Sequence, residues 1–138
     1  MSKGKDVRNA LTVEIQKVTD IGTTGSRWHH WQKVQRFPAA FTILESDDKE
    51  RTPFRSKEVT ATYRIATIIR GDNPEDEFDD LRDAIETEIE DDPSLGGLAL
   101  DAWVSGTGDF ATTTIIAGQV YVRDIFVTVV YRYSRGSP

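Results

Sequence analysis

The segment Gln119 to Tyr133 constrains the fold more than any other. Val120, Val122, Phe126 and Val130 fall on one side of an extended chain, and Tyr121, Ile125, Val127, Val129 and Tyr131 fall mostly on the other. A strand with apolar groups on both faces has to be buried on both, so it belongs at the centre of a sheet. Partner strands are at hand. Val59, Ala61, Tyr63, Ile65, Thr67 and Ile69 alternate cleanly between Glu58 and Arg70, and Ala39 to Glu45 is rich in β-formers. Leu98 to Ser105 and Ala111 to Ala117 are two further strand candidates, separated by a turn near Gly106 and Gly108.

Two segments carry helical spacing instead. Val7, Ala10, Leu11, Ile15 and Val18 predict an amphipathic helix over Asp6 to Val18 with Asp6 as its cap. Asn73-Pro74 places a cap residue before a first-turn proline, and Phe78, Leu81, Ile85 and Ile89 then line one face. Pro93 stops this second helix, and Gly96-Gly97 permits a reversal. Thr19 to Arg36 reads as a loop leading into a strand, and Ser46 to Lys57 as a long charged loop that projects. The expectation is a single α+β domain over residues 1–138, a mostly antiparallel sheet packed by two helices, with mobile tails at 1–5 and 134–138.

Charge is unevenly spread. Twelve Asp or Glu and only Arg82 lie between Asp72 and Asp92, a local −11 that leaves +5 on the other 117 residues. A solvated acidic helix explains this, and so does contact between copies, acidic face to basic face. The acids from Glu88 to Asp92 oppose the helix dipole at their end, which points to a partner for them.

Little in the chain suggests catalysis or a cofactor. The absence of cysteine excludes disulfides, thiolate metal sites and cysteine nucleophiles. His29 and His30 are neighbours on an extended segment and diverge, so a shared metal is awkward. Asp76, Asp79, Asp80 and Asp83 share neighbouring faces but match no ligand loop, and Gly96-Gly97 lacks the lysine of a phosphate-binding loop. Trp28 and Trp31, with Arg27, Lys33 and Arg36 nearby, fit base stacking or, more commonly, a protein contact. No apolar run suits a membrane span or a signal peptide, so the chain is expected to be made in the cytoplasm. No enzyme, metal or cofactor is predicted.

The stretch Ile85 to Leu98, IETEIEDDPSLGGL, is the most specific in the chain. A helix ending in Asp-Asp-Pro, followed by Ser-Leu-Gly-Gly-Leu and a strand, resembles the tail-terminator and minor tail (tail-completion) proteins of long-tailed bacteriophages. Asp92, Pro93, Leu95, Gly96 and Gly97 carry the likeness; the rest of the chain is similar in element order more than in residues. The resemblance implies a homohexameric ring at the head-proximal end of the virion tail. Such a ring caps the tail tube, ends tube polymerisation and offers a docking face to the head–tail connector protein, with DNA passing through its lumen. It implies no catalytic residue and no membrane. The interface residues expected on this reading are Trp28, Trp31, Arg51, Arg55, Glu75, Asp76, Asp79 and Asp80. A head-to-tail connector or neck subunit is the alternative within phage assembly; a nucleic-acid-binding module is another, against which the acidic total argues.

Overall fold

The alternation at Glu58–Arg70 and the two-faced segment after Gly118 meet as the spine of one sheet. A computed structural model of the chain describes residues 3–18, 21–25, 34, 36–51 and 56–134. Along the chain the elements are α1 (Lys3–Gln16), β1 (Thr23–Gly25), β2 (Ala39–Arg51) and β3 (Ser56–Ile69), then α2 (Pro74–Asp91), β4 (Asp101–Thr107), β5 (Ala111–Ile115) and β6 (Gly118–Ser134). The strands form one six-stranded sheet in the order β1-β2-β3-β6-β4, with β5 pairing β6 beyond the end of β4. The β1–β2 pair is parallel and the others are antiparallel. This is the α+β domain with two helices and a mostly antiparallel sheet.

The central pair, β3 and β6, is in unbroken register from Ser56↔Ser134 to Ile69↔Tyr121. That register puts Val59, Ala61, Tyr63 and Ile65 on one face with Tyr131, Val129, Val127 and Ile125, all of them buried. Val7, Leu11 and Ile15 of α1 and Phe78, Leu81, Ile85 and Ile89 of α2 cover this face and complete the main core. Each fully buried side chain of this size contributes about 1.5–3 kcal/mol. The Tyr63 hydroxyl donates to the Gly4 carbonyl at 3.3 Å, pinning the start of α1 to the sheet. On the opposite face Ala39, Phe41, Ile68 and Val120 gather with Val34 and Ile115 into a smaller cluster that, among the described residues, contains no helix residue.

Four expectations are corrected. Ser46–Lys57 is not a long loop: β2 runs on to Arg51 and β3 begins at Ser56, with Arg51 paired to Lys57 past a register shift between Leu44 and Ser46. Polar composition hides such a strand, because alternation reports a buried face while backbone pairing leaves no mark on composition. Lys3 to Lys5 and Ser134, expected in tails, belong to α1 and β6. Asp6 lies within the first turn of α1 and not at its cap. Asn73 precedes α2 with its carbonyl accepting the first helical bond from Glu77 N–H at 3.1 Å, but its side chain makes no cap hydrogen bond.

Candidate functional site

The residues singled out in the sequence fall largely on α2 and the turn that ends it. Pro93 disfavours helical backbone at Asp92, which takes φ −143° and ψ 74°, and α2 stops at Asp91. Leu95, Gly96 and Gly97 then follow with φ of 50°, 75° and 92°. A left-handed leucine costs about 1–2 kcal/mol. Burial of Leu95 in the main core, where it is 2% exposed, offsets that cost.

Asp92 organises the turn. Its carboxylate accepts from the Ser94 hydroxyl at 2.7 Å and from the Gly96 N–H at 2.9 Å, and Gly97 N–H donates to the Ser94 hydroxyl oxygen at 3.1 Å. Ala99 N–H closes the loop onto the Ser94 carbonyl at 2.8 Å. The Ser94 and Gly96 hydrogen bonds hold the Asp92 carboxyl below its ordinary pKa, with Lys17, just past α1, adding a smaller push in the same direction. Lys17 itself donates to Glu14 at 3.0 Å, which raises its pKa, and it feels both Asp92 and Glu88. Asp92, just past α2, thus has its hydrogen-bond partners in the turn that it caps.

The first half of α2 has no such arrangement. Glu75, Asp76, Asp79 and Asp80 are exposed, on the sides away from Phe78 and Leu81. Among the described residues the one ion pair on α2 joins Arg82 to the adjacent Asp83 at 3.3 Å. Nor do these carboxylates converge in a group of three or more able to hold a metal ion. What fixes the helix is apolar: Phe78 is fully buried, its ring 5.5 Å from that of Phe110, and the Arg123 guanidinium sits 4.5 Å above Phe78 and 4.8 Å from the Phe110 ring centre. Arg123 Nε also donates to the Gly108 carbonyl at 2.6 Å, tying α2 to the β4–β5 connection. Nothing in the sequence pattern marks Arg123, which sits beside Asp124 within β6.

Beside α2 lies a cleft of about 260 Å³, walled by Val18, Phe37, Leu81 and Ala84 and edged by Arg70, Glu77 and Asp80. Sequence reasoning picked out Asp80 but missed the cleft, because its walls come from the segment after α1, the approach to β2, the residue after β3 and α2.

The eight expected interface residues are not gathered in one place. Glu75, Asp76, Asp79 and Asp80 lie together at the N-terminal half of α2, next to the Ile69 end of β3; Arg51 ends β2 at the opposite end of the sheet. Trp28, Trp31 and Arg55 lie outside the described residues. On the sheet face away from the helices, Trp103 is 42% exposed opposite Thr128, near half-buried Phe126 and Val130. Compared with known proteins, the chain matches no protein-family model and shows no significant match to a curated protein.

Proposed function

We propose that the chain is a structural subunit of the tail-terminator kind, forming a ring that caps a tail tube, ends its polymerisation and presents a docking face to a head–tail connector. Copies, tube protein and connector are the partners, DNA passes through the lumen, and the place of action is the head-proximal end of a virion tail. No side chain is assigned a catalytic role, since the work is done by complementary surfaces.

The observation that carries this reading is the turn Asp92–Gly97. Every position that bears the resemblance has a structural task there: Pro93 ends α2, Asp92 gathers donors, Leu95 anchors in the core, and Gly96 and Gly97 turn the chain with positive φ. The exposed acids of α2, unneutralised among the described residues apart from Asp83, supply a surface suited to a basic partner. Polymerising tail-tube protein with and without the chain, viewed by electron microscopy, tests the proposal. Tubes should stop growing and carry a ring at one end; an unchanged length distribution with bare ends would contradict it.

A further inference from the structure

We propose that the turn between β5 and β6 of one copy seats in the cleft beside α2 of the next, with Ile116 as the inserted group and Arg70 as its charged companion. The inference rests on the ring reading above and names the residues that join one copy to the next.

The turn supplies a knob. Ile115 pairs with Gly118, so Ile116 and Ala117 are the two residues of a tight hairpin turn. Glycine, asparagine, aspartate and serine suit such positions through backbone freedom or local hydrogen bonding, and neither reason selects isoleucine. Ile116 is 78% exposed, more than Val13, Leu100 or Trp103, while its neighbour Ile115 is buried in the smaller apolar cluster. Among the described residues, then, its own chain does not bury it.

The cleft supplies a hole. Val18, Phe37, Leu81 and Ala84 give it apolar walls, and at about 260 Å³ it is smaller than the roughly 300–1,000 Å³ of small-ligand sites. An aliphatic side chain suits it better than a cofactor does. Ile116 is not part of its lining, so a copy does not fill its own cleft with its own turn.

Charge sets the pairing. Arg70, exposed where β3 ends, lies beside the turn, since a Cβ on Gly118 would be 3.7 Å from its Nη2. Among the described residues it forms no ion pair, although Glu77 and Asp80 edge the same cleft. The knob thus carries a cation beside its apolar tip, and the hole carries two carboxylates beside its apolar walls. Insertion of Ile116 brings Arg70 of one copy to Glu77 and Asp80 of the next. Knob and hole are different surfaces, so each turn enters the following copy while its own cleft receives the turn of the copy before. Contacts of that kind are heterologous, and they close into a ring when the rotation between copies allows.

Cross-linking tests the contact, because the chain has no cysteine of its own. Cysteines bridge when their Cα atoms come within about 7 Å. Full-length Ile116→Cys and Ala84→Cys chains, mixed and oxidised at concentrations where the unaltered chain assembles, should therefore link to each other. Ile116→Cys should not link to Thr60→Cys, which lies on the sheet face away from the helices. Adding Arg70→Glu to the Ile116→Cys chain should lower the yield, and adding Glu77→Lys/Asp80→Lys to the Ala84→Cys chain should restore it, which also shows that both variants fold. The double variant Ile116→Cys/Ala84→Cys should give a covalent ladder ending at one closed species. Covalent monomers or dimers alone, the second being two copies that exchange turns about a two-fold axis, would overturn the head-to-tail contact. Absence of the Ile116→Cys to Ala84→Cys link in a chain that assembles would overturn the turn–cleft contact while leaving the ring. An unaltered chain that stays monomeric would overturn the ring reading with it.

Discussion

Replacing Gly97 separates backbone conformation from packing with unusual clarity. Gly97 has φ of 92°, and a Cβ added there would meet nothing within 4 Å, so crowding by neighbouring residues plays no part in the cost. Gly97→Ala forces an L-residue into the left-handed region, worth about 1–2 kcal/mol. Loss of unfolded-chain entropy returns about 0.4–1 kcal/mol, leaving a net destabilisation of about 1 kcal/mol. Gly97→Val adds a β-branch and should cost about 2–3 kcal/mol. Gly106 is the control: it has no positive φ, and a Cβ there meets only Phe126 Cδ2 at 4.0 Å. Gly106→Ala should therefore be neutral or stabilising by up to about 1 kcal/mol. Urea unfolding under conditions that keep the chain monomeric gives all three values. Equal stability of Gly97→Ala, Gly97→Val and the unaltered protein would refute the claim that the turn requires glycine.

Phe78→Ala should destabilise by about 3–5 kcal/mol, since it empties a buried site and removes a ring on which Arg123 stacks; a loss under about 1 kcal/mol in the same assay would show that α2 is held by other contacts. Asp92 makes stability pH-dependent in a defined direction: its folded carboxyl lies below the ordinary 3.8, so its contribution is present above that value and is lost as pH falls through the folded value. Asp92→Asn should remove that part of the acid limb of a stability–pH curve, and an unchanged limb would contradict the assignment. Reversing Glu75, Asp76 and Asp79 to lysine should weaken assembly more at low salt than at high salt while leaving the monomer folded, because these acids are exposed and their interactions are screened. Salt-independent assembly of that variant would rule out a charged contact through α2.

Sequence reading reached the elements whose side chains face the main core. The stripe Phe78, Leu81, Ile85 and Ile89 and the alternation through Ile65 and Ile125 report burial directly, and the structure places them as expected. The strand pairing beyond Ser46 is hidden in the sequence because it runs through the backbone with no apolar alternation to announce it. The three residues of β1 are too few to show a period, and their parallel pairing to Ala39–Phe41 depends on a connection that composition does not describe. Motif positions Asp92 to Gly97 were legible as a turn, but the convergence of the Ser94 and Gly96 donors on Asp92 was not. The cleft was illegible because four separated segments build it, and Arg123 because its partners Phe78 and Phe110 are brought together only by the packing of α2 over β6.

The mass of the chain in solution, alone and with tail-tube protein, decides whether it forms the proposed closed ring on a tail tube. A ring-forming chain should give a single closed species of roughly six times the 15.5 kDa chain, binding tube ends and weakened by the α2 reversals. A protein that stays monomeric at high concentration and in the presence of tubes would contradict it.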